Sequence, residues 1–455
     1  MSSHFEYVVG PNAKAYVERD AKVVSPSYTR DYPFVMSHGR GAEVWDVDGR
    51  RYIDMTTGVA VNATGHSHPK VVQAIKDQAD KFLHMAGTDF YYPLQVELAE
   101  RLAAIAPFEE NALVFFANSG TEAVEGALKL AKYYTGRSQI IGFLGSFHGR
   151  TMGALSVTSS KPIQRRGYFP TVPGVTHVPY PNAYRPMLAM DGFDDYGERI
   201  VDYIEHTIFN TIVPSDEVAA VLVEPIQGEG GYIVPTPGFF PALRALCDKY
   251  GILLIADEVQ SGIGRTGKWW AIENFGVEPD IISSAKGIAS GMPLGAIIAR
   301  ESIMGEWVPG SHGNTFGGNP LSCAASMATL DLIEGKGGEP SLLQNAAEVG
   351  QYMMDALEEM MPRHPSIGVV RGIGMMFGVE LLADQQTREP ARQLKMDVLN
   401  RAFNNGLLLL GCGQSTIRFM PPLNLDKTTA DEALHLFDAT LSEAEVAHGL
   451  VASRA

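Results

Sequence analysis

Paired cysteines, long hydrophobic runs and an excess of positive charge are all missing from this 455-residue chain. The three cysteines, Cys247, Cys323 and Cys412, stand far apart and form no C-x-x-C. An odd, scattered set argues against a disulfide framework or a structural zinc and fits a reducing cytoplasm. No apolar run approaches the roughly 18 residues of a membrane span, so no membrane partner is expected. Lys and Arg number 36 against 52 Asp and Glu, a formal net charge of −16. Such a field disfavours nucleic acid and anionic surfaces as partners, although local positive spots can still bind a phosphate or carboxylate. The start, Met1-Ser2-Ser3-His4-Phe5-Glu6, lacks a basic region followed by an apolar core, so no signal peptide is expected.

What the chain does have is ordinary globular material, 45% hydrophobic and 19% charged. Asp48-Gly49 between Val44-Trp45-Asp46 and Arg51-Tyr52-Ile53 predicts a hairpin. Pro69 opens a helix through Phe82, and Pro93 to Ala104 reads as another. From Leu113 the pattern becomes strand, turn, helix. Leu113–Phe116, Gln139–Phe143, Ala219–Val223 and Ile252–Ile255 are strands; Thr121–Tyr134 and Pro237–Tyr250 are helices. That alternation predicts an α/β domain with a mostly parallel sheet. Thr158–Asp216, rich in Pro, Tyr and Asn, reads as irregular surface structure. Beyond the break Gly335-Lys336-Gly337-Gly338, two helices and two strands predict a smaller α+β domain. The expected division is 1–75 as an N-terminal segment of the small domain, 76–334 as the large domain and 335–455 as the C-terminal small domain.

Two residues dominate the chemistry. Lys286 lies in Ser283-Ser284-Ala285-Lys286-Gly287-Ile288-Ala289-Ser290-Gly291, small neighbours that let an amine be buried. Burial lowers an amine's pKa and frees its nucleophile. Asp257 ends the apolar run Ile252-Leu253-Leu254-Ile255-Ala256. A lysine in a tight pocket and a carboxylate at the end of a buried strand are what pyridoxal phosphate (PLP) requires: an amine for the aldehyde and an anion opposite the ring nitrogen. A nucleotide hydrolase is the rival reading, since Gly262-Ile263-Gly264-Arg265-Thr266-Gly267-Lys268 has phosphate-loop spacing. Trp269 then stands where a magnesium-ligating Ser or Thr belongs, and no separate strand leads into the loop.

Asn118-Ser119-Gly120-Thr121-Glu122 joins a strand to a helix, where an N-cap and an anion site use the same free N–H groups. Phe147-His148-Gly149-Arg150-Thr151 offers an aromatic to stack on a flat ring and an arginine for a carboxylate. Gln227-Gly228-Glu229-Gly230-Gly231 reads as a mobile loop carrying a lone acid. His66 and His68 lack a third metal ligand nearby, so capping or core roles are expected and no metal.

Together these motifs resemble the class III, fold-type I PLP aminotransferases, which include the 4-aminobutyrate, ornithine and acetylornithine enzymes. The resemblance runs from about Gly39 to Leu441 and adds Glu224-Pro225-Ile226-Gln227, Asp257-Glu258-Val259-Gln260 and Thr315-Phe316-Gly317-Gly318-Asn319-Pro320. It implies that Lys286 binds the cofactor covalently and moves the proton, and that Asp257 pairs with the pyridine nitrogen. Gln260 would contact the ring hydroxyl and Phe147 would cover the ring. Ser119, Gly120 and Thr121 would hold the phosphate, with His148 and Glu224 also in the cofactor site. Thr315 would reach the neighbouring subunit's phosphate, implying a homodimer or higher even oligomer with a shared site. Arg150 matches the arginine for one substrate carboxylate and Arg418, in Thr416-Ile417-Arg418-Phe419, the one for the α-carboxylate of glutamate. Glu229 matches the residue that covers that arginine when the substrate has no carboxylate there. The implied reaction is amino transfer from an ω-amino acid to 2-oxoglutarate, with an amino-acid racemase of the same fold as the alternative. One departure, Val61-Asn62-Ala63-Thr64-Gly65-His66 in place of a V-x-N-T-G-H pattern, implies a changed pocket floor.

Overall fold

The structure, a computed structural model, describes residues 5–451. The N-terminal stretch read for a leader begins outside them. The chain forms two compact units, Pro69–Gln344 and Met1–His68 with Asn345–Ala455. Helix Pro69–Ala79 packs on a later helix, Pro320–Glu334, of the large unit, and Lys70 pairs with Glu339 at 2.7 Å. Both boundaries therefore lie outside the 76–334 range expected for the large domain.

The large unit is built on a seven-stranded sheet. In chain order its elements are β1 (Ala112–Ala117), α1 (Gly120–Thr135), β2 (Gln139–Phe143), β3 (Val175–Val178), β4 (Val218–Val223), α2 (Phe239–Tyr250), β5 (Leu253–Asp257), β6 (Ile281–Ser284) and β7 (Gly295–Arg300). The spatial order is β1-β7-β6-β5-β4-β2-β3, and β7 runs antiparallel to both neighbours while the other pairings are parallel. The central strands β4 and β5 are buried at every position. That is why they read as unbroken apolar runs rather than alternating ones. Helix α1 lays Ala123, Val124, Ala127, Leu130 and Ala131 against the sheet, and Gly136 ends it at φ 68°.

Thr158–Asp216 is more ordered than its composition implied. It contains β3 and a helix, Tyr196–Tyr203, whose N-cap Asp195 accepts from the N–H groups of Gly197 and Glu198. β3 is short and only its last residue is fully buried, so it leaves little hydrophobic pattern.

In the other unit the expected hairpin is present as strands Glu43–Asp46 and Arg51–Asp54, with Val44 opposite Tyr52. Leu407–Leu408 pairs parallel with Ile53 and Asp54, which joins the two ends of the chain in one four-stranded sheet. A second, five-stranded sheet contains Ile367–Ile373, Met376–Asp384 and Thr416–Phe419. Among the described residues no helix is long and apolar enough to cross a membrane.

Candidate active site

The large unit's candidate residues gather where β1, β2, β4, β5 and β6 end. The carboxyl ends of parallel strands are where open α/β sheets bind ligands. Asp257 is the last residue of β5, and strand pairing sets it beside Ser283 of β6. Its Oδ1 accepts from the Val259 N–H at 3.1 Å and the Ser283 hydroxyl at 3.2 Å. Its Oδ2 accepts from His148 Nδ1 at 2.6 Å. The carboxylate only accepts, so His148 must carry its proton on Nδ1. Burial alone would lower the pKa of His148, but the hydrogen bond and charge of Asp257, with the charge of Glu224, raise it.

Glu224 follows β4 and is buried. It accepts from the N–H of Phe147 at 3.3 Å and of Gly228 at 3.0 Å, clasping two loops together. Burial pushes its pKa up to about 7, against the lowering influence of His148 and with a further rise from Asp257.

Lys286 lies two residues beyond β6, half-buried between buried Ala285 and Gly287, with φ 49°. A side-chain-bearing residue in the left-handed region is strained, and such strain concentrates at functional sites. Ser119 caps α1, accepting from the Glu122 N–H at 3.4 Å. A Cβ on Gly120 would come within 2.7 Å of Val259, so a glycine lets the helix start press under the loop after β5. The Thr151 hydroxyl donates to Glu125 at 2.5 Å, so in its 2.8 Å contact with Thr121 the donor is Thr121. An anion at this helix start would therefore meet the N–H groups of Gly120 and Thr121 rather than the Thr121 hydroxyl.

Phe147 is half-buried and exposed Arg150 holds its guanidinium 5.9 Å from the ring centre. Gln260 Oε1 accepts from the Tyr232 hydroxyl at 2.7 Å, which leaves its amide N–H groups for another acceptor. The Glu229 loop is not loose. Gln227 and Ile233 exchange backbone hydrogen bonds at 3.0 and 3.1 Å, and a Cβ on Gly230 would collide with the Gln227 side chain. Within the same unit the Glu229 Oε1 accepts from Lys161 Nζ at 2.5 Å. Thr315 is exposed, beside exposed Phe316. Arg418 belongs to the other unit, buried in strand Thr416–Phe419 between Gly378 and Leu410. His66 bonds Asp54 at 2.7 Å, and no group of three or more potential metal ligands occurs among the described residues.

Sequence reasoning missed Ser283, Tyr232 and Lys161. Ser283 had a usable signal, since pairing the strand ending at Asp257 with the next one brings it alongside. Lys161 had none, lying 68 residues from Glu229 in the chain.

The donor set fits PLP. An amine, a fixed carboxylate, a spare amide and a helix start closed by a glycine match its aldehyde, ring nitrogen, hydroxyl and phosphate. This defines a PLP-dependent enzyme of fold type I. The class-III aminotransferase family matches residues 24–441, and the chain belongs to that family. It is 42% identical over 440 residues to an alanine/serine racemase of Pyrococcus horikoshii, covering 95% of this chain and 91% of the relative. It is 38% identical over 405 residues to a probable 4-aminobutyrate aminotransferase of Bacillus subtilis, covering 89% and 92%. An omega transaminase of Pseudomonas jessenii, solved in complex with PMP, superposes with a TM-score of 0.87 at 29% identity over 95% of this chain and 98% of that one.

Proposed function

We propose that the enzyme moves an amino group from an ω-amino acid of the 4-aminobutyrate or ornithine type to 2-oxoglutarate. It works in the cytoplasm as a homodimer or higher even oligomer whose sites are completed by Thr315 of the neighbouring subunit. The observation that carries the substrate reading is Glu229, a carboxylate on a pinned loop that is already paired to a cation. In this reading Arg150 takes the carboxylate common to both substrates. Arg418 takes the second carboxylate of the acceptor, and Glu229 neutralises Arg418 when the donor has none. A buried guanidinium left without an anion is costly, so a movable glutamate allows one site to accept both substrates.

PLP, when bound, supplies the electron sink that stabilises charge on the substrate carbon. Lys286 Nζ attaches the cofactor and then carries the proton from the substrate carbon. Asp257 keeps its negative charge facing the pyridine nitrogen, with Oδ1 and Oδ2 both fixed by hydrogen bonds. Gln260, oriented by Tyr232, donates to the ring hydroxyl, and Phe147 covers the ring. Ser119, Gly120 and Thr121 bind the phosphate, while His148 and Glu224 fix Asp257 and the Phe147 backbone.

An amino-acid racemase is the second reading, favoured by the 42% identity to the alanine/serine racemase. Both reactions begin with Lys286 Nζ removing a proton from the carbon that bears the amino group; racemisation returns a proton to the opposite face of that same carbon. The test is a donor panel with 2-oxoglutarate beside a chirality assay on single enantiomers without any oxo acid. Amino transfer to 2-oxoglutarate supports the first reading. Loss of optical purity without transfer supports the second.

A further inference from the structure

Arg150 is exposed, yet the backbone on both sides of it is held fast. On one side Gly149 is buried at φ 139°, and a Cβ there would collide with the Thr121 hydroxyl. The His148 N–H before it donates to the Thr158 hydroxyl at 2.9 Å. On the other side Thr151 is tied to α1 twice. Its N–H donates to the Thr121 hydroxyl at 3.4 Å, and its own hydroxyl donates to Glu125 Oε1 at 2.5 Å. Glu125 stands one turn after Thr121 on α1 and is half-buried. The same Oε1 accepts from the N–H groups of Gly153 at 2.8 Å and Ala154 at 3.0 Å. These residues open the helix Met152–Val157, whose N-cap Thr151 makes no side-chain cap of its own. One carboxylate oxygen thus caps that helix from outside and grips the residue next to Arg150. Gly153 permits the approach, because a Cβ there would collide with the carboxylate.

We propose that Glu125 is a positioning residue for Arg150. By holding Thr151 and the start of the helix behind it, Glu125 fixes the backbone from which the guanidinium reaches a substrate carboxylate. A bidentate contact demands that geometry, and a side chain on a fixed backbone gives up less freedom to reach it. Glu125 acts through Thr151 and does not itself touch the ligand. This rests on the reading of Arg150 as the carboxylate arginine given above. Every residue involved belongs to the large unit.

The test measures binding of valerate, a single carboxylate, to the holoenzyme through the change in cofactor absorption, beside the affinity for PLP itself. Glu125→Ala is expected to weaken valerate about tenfold and to leave PLP binding unchanged. Glu125→Gln keeps an acceptor oxygen in the same place and should restore most of the loss. Gly153→Ala breaks the same link from the other side, because its methyl group displaces the carboxylate. Alanine suits a helix better than glycine, so this variant should fold and should weaken valerate in the same direction. In an Arg150→Ala background neither Glu125→Ala nor Gly153→Ala should matter, because the side chain they disturb is gone. Valerate binding unchanged by both substitutions, a loss that persists in the Arg150→Ala background, or PLP weakened as much as valerate overturns the proposal. Arg150→Ala alone separates the two levels. If it weakens valerate and Glu125→Ala does not, the Glu125 role falls alone. If Arg150→Ala leaves valerate binding unchanged, the reading of Arg150 falls and the Glu125 role with it.

Discussion

His148 Nδ1 lies 2.6 Å from Asp257 Oδ2, and the two residues are each 4% exposed. Asp257 is the last residue of a strand that is buried throughout, so its charge needs support that water cannot give. The imidazole N–H, the Ser283 hydroxyl and the Val259 N–H give that support. The carboxylate proposed to face the cofactor's ring nitrogen is thus part of a fixed array, held before any ligand arrives.

Asp257→Asn removes the charge and leaves one amide oxygen to accept where two carboxylate oxygens serve His148, Val259 and Ser283. The half-reaction with amino donor alone should slow about 100-fold or more, the scale for losing one preorganised electrostatic group. The His148 pKa should also fall, because Asp257 raises it and burial alone lowers it. Single-turnover absorption and the imidazole proton resonance check the two effects separately. An unchanged rate removes Asp257 from this role.

Lys286→Ala should still bind PLP but no longer hold it covalently. Borohydride reduction of the native holoenzyme followed by peptide mapping should place the pyridoxyl group on Lys286. A label on Lys268 or another lysine would reassign the attachment site.

The large sheet, and the strand ends that carry the candidate site, were largely legible because burial on both faces leaves continuous apolar runs. Ala219–Val223 and Ile252–Ile255 mark β4 and β5, and Asp257 stands out as a charge at the end of one of them. Lys286 was legible from its small neighbours, though nothing linear gives its left-handed backbone. What stayed hidden depends on pairing across sequence distance: Ser283 reaches Asp257 through strand register, Tyr232 orients Gln260, and Lys161 reaches Glu229 from a separate loop. The mobile-loop reading of 227–231 missed that the glycines allow close contact with Gln227 and Gln260, which fixes the backbone.

His364 gives a pH-dependent prediction remote from catalysis. Its Nδ1 is 2.8 Å from Glu445 and its Nε2 2.6 Å from Asp438, tying the segment before strand Ile367–Ile373 to the C-terminal helix Lys427–Ala447. Burial lowers its pKa, but hydrogen bonds to the two carboxylates outweigh that and raise it. The folded pKa lies above the unfolded one, about 6.5, so the stabilisation is complete below that pH and fades as pH rises through the folded value. The carboxylates are shifted down, so their share is lost only as pH falls through their lowered values. His364→Gln should destabilise the protein by about 3 kcal/mol near neutral pH. The gap from the native protein in denaturant melts should narrow at alkaline pH. A gap independent of pH would contradict the charged pairing.

Arg418→Ala should damage the half-reaction with 2-oxoglutarate by about 2–5 kcal/mol and that with 4-aminobutyrate far less. Arg150→Ala should harm both, because both substrates carry a carboxylate for it. Equal losses in the two half-reactions of Arg418→Ala would refute the Glu229–Arg418 exchange.

Stepwise single turnover of the holoenzyme tests the central claim most directly. The ω-amino acid alone should abolish the visible cofactor band with one equivalent of carbonyl product released, and 2-oxoglutarate added next should restore the band and yield one equivalent of glutamate. A band that no ω-amino acid abolishes, together with an α-amino acid that loses its optical purity in the absence of any oxo acid, would contradict amino transfer as the reaction.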